Sequence, residues 1–222
     1  MTDEGINPDM IKYYGRADWA RRWDSGMEAV MDLPEYKQQF DKISEVINEA
    51  VAGKNVLEIA AGTGIWTRRI VAVIASLVAT DINEAPLKIA QEKEYPPGKV
   101  SFRIGDMYSL GDVPQKDALF GGFIISHVLR QGYTKFFDTL NARVVPGGTI
   151  ILFDTKRLVP PTRIDAEGNY YDVRKEPDGT KHEVLKNHPS QEELRELLRE
   201  RASHIEFLDM EHYWLLKYET QK

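Results

Sequence analysis

Three acidic residues stand where a chain rarely places charge. Glu58 interrupts the apolar run Val56-Leu57-Glu58-Ile59-Ala60, Asp81 ends "SLVATD", and Asp106 follows "VSFRIG". The loop just past Glu58 carries Gly62 and Gly64. Glycine adopts backbone conformations closed to other residues and lets a ligand approach the main chain without meeting a β-carbon. A carboxylate beside such a loop is costly to bury unless a cation or a hydrogen-bond donor pairs with it. A phosphate therefore fits poorly there and a positively charged group fits well. Asp81 suits a carboxylate that accepts from both hydroxyls of a ribose. Asp106 is placed to accept from an exocyclic adenine amine, although an acid there also serves as a helix N-cap. Together the three describe a ligand with a cationic part, a ribose and an adenine.

Other candidates are less specific. His127 can act as a base or touch a substrate, since imidazole titrates near neutral pH; it can also anchor the next loop through a hydrogen bond. Arg130, close behind it, joins the substrate-side candidates. Tyr13, Tyr14 and Trp19 either face a cleft or pack the first helix, and Trp66 is either core or ligand contact. His182 and His188, in a polar late segment, are expected to be exposed. The five histidines show no metal-ligand spacing, so no metal site is expected.

These residues need elements to hold them. "PEYKQQFDKISEVINEAVA", Pro34 to Ala52, has apolar residues at three- and four-residue spacings and predicts a helix with proline near its start. "NVLEIAA" reads as a strand, "GIWTRRIVAVIA" as a helix, "SLVATDIN" as a strand and "EAPLKIAQEKE" as a helix. "VSFRIGDM" gives a third strand. "DALFGGFIISHV", residues 117–128, gives a fourth, so apolar that it should be central. A helix over "YTKFFDTLNARVV" and a fifth strand "TIILFD" follow. The alternation predicts a mostly parallel sheet covered on both faces. Later, Glu-Gly and Asp-Gly turns in "RIDAEGNYYDVRKEPDGTKHEVLKN" suggest hairpins over an edge or mouth of the domain. Ser190 and Glu193 form a capping box for "SQEELRELLRERA", and "IEFLDMEHYWLLKYE" reads as two final strands.

Bulk properties narrow the class. The chain has 222 residues, 42% hydrophobic and 29% charged, with net charge −6. No apolar run approaches the roughly 18 residues needed to cross a bilayer, and the acidic N-terminus lacks the order of a secretory signal. Zero cysteines exclude a disulfide framework and cysteine-bound zinc. The expected setting is cytoplasmic, without membrane or nucleic-acid partners, as a monomer or homodimer.

"VLEIAAGTGIWT", "ATDIN", "IGDM" and "PGGTIILFD", in this order and spacing, resemble the class I S-adenosylmethionine-dependent methyltransferases over about residues 36–155. The later segments are similar to a bacterial subgroup of small-molecule type. Ala60 stands where many members have the first glycine. The resemblance implies a Rossmann-like, doubly wound α/β fold: a mostly parallel seven-stranded sheet with an antiparallel C-terminal strand and helices on both faces. It implies one domain over 1–222, with an N-terminal lid (1–33), a cofactor-binding core (34–155), a hairpin insertion capping the substrate (156–189), and a C-terminal helix and strand pair (190–222).

The resemblance also implies roles. Glu58 would hold the amino acid end of S-adenosylmethionine, with Ala60, Gly62 and Gly64 lining its methionine part. Asp81 would bind the ribose, Ile82 pack on adenine, and Asp106 with Met107 recognise its edge. Tyr14 and Trp66 would complete the cofactor wall. Ser126 and His127, ending the fourth strand, would sit where donor and acceptor meet, with His127 or Tyr14 as the base if one is needed. S-adenosylhomocysteine would be the product. Tyr13, Trp19, Arg130 and Tyr170 would touch a small, partly apolar acceptor methylated at O or N. Two alternatives stay open: a nicotinamide-dependent oxidoreductase, disfavoured by Thr67 at the third-glycine position and by the charge of Glu58, and a non-catalytic nucleoside-binding protein of the same fold.

Overall fold

The computed structural model describes residues 8–221, so residues 1–7 of the expected N-terminal lid lie outside the described residues. Three helices come first: α1 (Pro8–Tyr14), α2 (Ala17–Asp32) and α3 (Pro34–Val51). Pro34 occupies the first turn of α3, where a missing N–H costs nothing. Phe40, Ile43, Ile47 and Val51 form the buried stripe of that helix, each contributing about 2 kcal/mol of apolar burial.

Strands and helices then alternate: β1 (Asn55–Ile59), α4 (Ile65–Ile70), β2 (Ser76–Asp81), α5 (Glu84–Gln91), β3 (Val100–Ile104), β4 (Lys116–Gly122), α6 (Tyr133–Ala142) and β5 (Val144–Thr155). After them come β6 (Arg163–Ile164), β7 (Tyr170–Lys175), β8 (Lys181–Leu185), α7 (Gln191–Leu198), β9 (Ala202–Asp209) and β10 (Tyr213–Thr220). The main sheet has seven strands in the order β3-β2-β1-β4-β5-β10-β9. Its first five strands pair in parallel, and β10 runs antiparallel between β5 and β9. Along β5, Ile151 and Phe153 face the layer of α2 to α5, while Ile150 and Leu152 face that of α6 and α7. Strand alternation thus gives both faces an apolar surface, and helices cover both.

Strand order reverses beside β1, whose neighbours are β2 and β4. A crevice opens at the carboxyl ends of strands at such a point. Above it lies the small antiparallel sheet β6-β7-β8, where hairpins were expected. It packs on α1 through Tyr171, Val184 and Leu185 against Met10 and Tyr13.

The fourth strand is shorter than its sequence suggests. It stops at Gly122, Phe123 turns to φ +58°, and Ile125–His127 form a 3-10 turn. The Ser126 N–H is received by the Asp154 carboxylate at 3.1 Å rather than by a neighbouring strand. An apolar run does not distinguish strand from buried turn. The helix after β1 is also short, six residues from Ile65. The capping box of α7 is present: Glu193 N–H donates to Ser190 Oγ (3.1 Å) and Ser190 N–H to Glu193 Oε2 (2.7 Å).

Candidate active site

A cavity of about 390 Å³ opens at the carboxyl ends of β1 and β2 and is walled on its far side by α1, α2 and the small sheet. Its lining is mainly apolar and aromatic, as small-molecule sites are. Two polar groups break that surface.

The first is the expected pair of acids. Glu58 is 2% exposed, and its carboxylate accepts from Thr67 Oγ1 at 2.6 Å, its one hydrogen bond among the described residues. Burial pushes its carboxyl up to about 8, with the neighbouring charge of Asp81 adding to the rise and the Thr67 hydroxyl opposing it. Asp81, also buried, accepts from the Gly62 N–H (2.8 Å) and the Asn83 N–H (2.8 Å). Burial raises it to about 6 against those backbone donors. Between the acids, the loop is shaped by left-handed backbone. Gly62 has φ +55°, and a β-carbon there would meet nothing nearer than the Ala60 carbonyl oxygen at 4.0 Å. Ala60 adopts φ +51° although it has a β-carbon, a conformation that costs a non-glycine residue roughly 1 kcal/mol. Thr63 Oγ1 is buried without a hydrogen-bond partner. Two carboxyls raised by burial, an orphaned hydroxyl and an open glycine together suit a ligand that brings positive charge and hydrogen-bond donors.

The second polar group comprises Tyr14, His127, Arg174 and Lys186. His127 Nδ1 donates to the Leu185 carbonyl at 2.8 Å, and its ring lies 5.0 Å from that of Tyr14. Burial, then the Lys186 ammonium, push the imidazole down to about 3 despite the pull of Asp154. Lys186 Nζ donates to Ser126 Oγ (2.7 Å) and to Asp154 (3.2 Å). Asp154 is 1% exposed; burial alone would raise its carboxyl, but Lys186 foremost, with His127 and His188, holds it below the usual range. Burial raises the Tyr14 phenol, and Arg174 opposes the rise.

The structure brings Tyr14, Trp19, Glu58, Ala60, Gly62, Trp66, Asp81, Ile82 and His127 to this cavity. Trp66 is at once lining and core, 4.6 Å from the ring of Phe153. Seven other candidates stand elsewhere. Gly64, at φ +76°, lets α4 approach α5: a β-carbon would come within 2.8 Å of Ala90 Cβ. Asp106 caps the 3-10 turn Met107–Ser109 by accepting from the Tyr108 N–H (3.0 Å), and Met107 is core. Ser126 is fully buried beneath Lys186, not at a strand end. Tyr13 donates to Glu176 (2.8 Å). Arg130 pairs with Glu193, and Tyr170 lies between the guanidinium groups of Arg130 (5.0 Å) and Arg157 (5.4 Å). Nor are His182 and His188 exposed as expected. His182 packs 4.9 Å from Tyr13, and His188 Nδ1 donates to the Thr155 carbonyl at 2.9 Å.

Sequence reading missed Arg174, Lys186, Asp154 and Phe123. Asp154 gave a usable signal, because an acid ending the buried run "TIILFD" parallels Glu58. Lys186 and Arg174 gave none, since cations in a polar segment are ordinarily solvated.

Residues 56–148 match the family model described as a methyltransferase domain. A curated relative, the demethylmenaquinone methyltransferase of Clavibacter sepedonicus, is 31% identical over 125 residues, covering 55% of this chain and 48% of that protein. The chain thus spans about half the length of the curated relative it matches. Among solved structures, the DhpI-SAH complex has TM-score 0.79 at 23% identity, covering 98% of both chains. The DhpI-SAM-HEP complex has TM-score 0.77 at 22% identity, covering 98% of this chain and 99% of that one. The N-methyltransferase NodS from Bradyrhizobium japonicum WM9 with S-adenosyl-L-homocysteine has TM-score 0.60 at 12% identity, covering 86% and 91%. These likenesses show the fold.

Proposed function

We propose that the chain transfers a methyl group from S-adenosylmethionine to a small acceptor, a reading supported by the match of residues 56–148 to a methyltransferase-domain model and by the fold shared with the DhpI complexes. The observation that carries this reading is the pair of buried carboxyls, Glu58 and Asp81, opening into one cavity. Glu58 would take the ammonium of the donor's amino acid end, Ala60 and Gly62 would lie along its methionine part, and Asp81 would accept from the ribose hydroxyls. Ile82 would pack on adenine. Asp106 and Met107 follow β3, whose end is tied to Asp81 by the Gly105 N–H donating to the Asp81 carbonyl (2.9 Å); from there they would meet the adenine edge.

The donor supplies an activated methyl on a sulfonium, so the chain's task is to align and enclose. Tyr14, Trp19 and Trp23, from α1 and α2, would close over the reactants and exclude water, the lid role expected of the N-terminal segment. His127 would position the acceptor through its ring and Nε2. An imidazole whose conjugate acid lies near 3 is a poor general base at neutral pH.

Calorimetry with S-adenosylmethionine, S-adenosylhomocysteine and NAD tests the reading. Both sulfur nucleosides should bind and NAD should not. Asp81→Asn, which weakens acceptance from the ribose, should cost about tenfold in affinity. Undiminished binding by that variant, or tighter binding of NAD, would refute the reading. A methyl-transfer assay over a metabolite panel separates a catalyst from a binder.

A further inference from the structure

One buried carboxylate takes no part in the site described above. Glu176 follows β7 at the first corner of the β7–β8 hairpin and is 7% exposed. Its backbone is fixed: its N–H donates to the Thr180 carbonyl (2.8 Å), and its carbonyl accepts from the Gly179 N–H (2.9 Å). Its side chain is held from the other end of the chain. Tyr13 on α1 donates to Oε1 at 2.8 Å, Arg22 on α2 donates to Oε2 at 2.5 Å, and Arg16, between those helices, lies 3.7 Å from Oε2. Burial, then the Glu176 carboxylate, raise the Tyr13 phenol, which keeps it a donor. Among the described residues, every side-chain partner of Glu176 comes from this one segment.

The same segment roofs the cavity. Tyr14, Trp19 and Trp23 line it. The joint at Gly15 passes close to Asn83, beside Asp81 and Ile82, so that a β-carbon there would meet Asn83 Oδ1 at 2.6 Å. The roof thus spans from the end of β2 to the small sheet. Farther along α2, Asp24 pairs with Lys93 at 2.6 Å and Met31 is core, so that half of the helix belongs to the domain. On the side of the small sheet, the segment is held by the apolar packing of Met10 and Tyr13 and by Glu176. A buried carboxylate is stabilised only while its donors stay in place. Once the segment lifts, Glu176 regains water, as do Arg16 and Arg22, whose side chains are already 35% and 45% exposed, so the tie can break and reform. We propose that Glu176 is a positioning residue: a latch that holds α1 and the start of α2 closed over the cavity and whose breaking sets how fast a nucleoside enters and leaves. The choice of nucleoside rests on the donor reading above; the latch itself does not.

Stopped-flow tryptophan fluorescence with S-adenosylhomocysteine, and amide exchange of the ligand-free chain, test this on Glu176→Gln, Glu176→Asp and Arg22→Met. A latch gates both directions through one open state. Glu176→Gln should therefore raise the association and dissociation rate constants together, by about tenfold, with affinity changed by less than about twofold. Glu176→Asp, which keeps the charge, should fall between Gln and wild type, and Arg22→Met should act in the same direction as Gln. Without ligand, Glu176→Gln should speed exchange over α1 and the start of α2 while β1, β4 and β5 stay as in wild type. Faster dissociation without faster association is what a merely structural role would give. That result, unchanged rates, or unchanged exchange over α1 and α2 would overturn the latch. If Glu176→Gln does not fold, Arg22→Met, at a half-exposed position, decides by the same readouts. Failure of S-adenosylhomocysteine to bind would instead overturn the donor reading, and the ligand-free exchange would still decide the latch.

Discussion

Glu58 holds a carboxyl that the fold alone keeps partly protonated at neutral pH. Its raised value in the folded chain has a definite sign. The stability it contributes is complete below about pH 4.5, its unfolded value, and is lost as pH rises through about 8. Glu58→Gln should therefore flatten the fall in thermal midpoint between pH 5 and pH 9 in the ligand-free protein. A cationic donor would pull the carboxyl down and release a proton on binding. Affinity for S-adenosylmethionine should accordingly rise between about pH 6 and 7.5, below the range where the ligand's own α-amino group loses its charge. Titration in buffers of different ionisation enthalpy should show release on the order of one proton at pH 7, and the Gln variant should show none. Asp81, raised only to about 6, is mostly ionised at that pH and adds little to the count.

At the scale of elements, the small sheet is tied down by two buried asparagines. Asn187 donates to the Val128 carbonyl (2.9 Å) and to Asn169 Oδ1 (3.0 Å), and accepts from the Tyr170 N–H (2.8 Å). Asn169 Oδ1 also accepts from the Arg130 N–H (2.8 Å). These bonds join β7 and the end of β8 to the turn after β4, and so fix Arg174 and Lys186 above His127. Asn187→Ala would leave buried donors and acceptors unpaired, at roughly 1–3 kcal/mol. A chemical-denaturation midpoint should fall accordingly. Substituting Lys186 is a harsher experiment, since Asp154 would remain as a buried, uncompensated charge.

Across the whole molecule, the cavity is shared between a rigid sheet and a surface pair of helices. Three of the four tryptophans, Trp19, Trp23 and Trp66, line it. Trp19 and Trp23 stack at 5.4 Å on α2, and Trp23 meets Phe123 edge-on at 6.2 Å. Ligand binding should hence shift intrinsic tryptophan fluorescence, with Trp23→Phe removing much of the change. Amide exchange across α1 and α2 should slow on addition of S-adenosylhomocysteine, while β1, β4 and β5 stay protected throughout. Equal exchange in α1 and α2 with and without the nucleoside would argue that these helices are not a lid.

Local chemistry made much of this legible. Alternating apolar strands and amphipathic helices determine a doubly wound sheet, because each element has a face that must be buried. Acids inside apolar runs mark strand ends that open into the cavity, as at Glu58 and Asp81, where the proposed donor would supply their partners. Neither rule says what lies across space. Gly64 looked like a ligand contact and serves helix packing; Ser126 and His127 looked like strand residues and sit on a turn received by Asp154. Arg174 and Lys186 acquire meaning only once the small sheet folds over β4, since a cation's role depends on which opposite charges reach it. That pairing is set by contacts distant in sequence, and only the tertiary structure decides them.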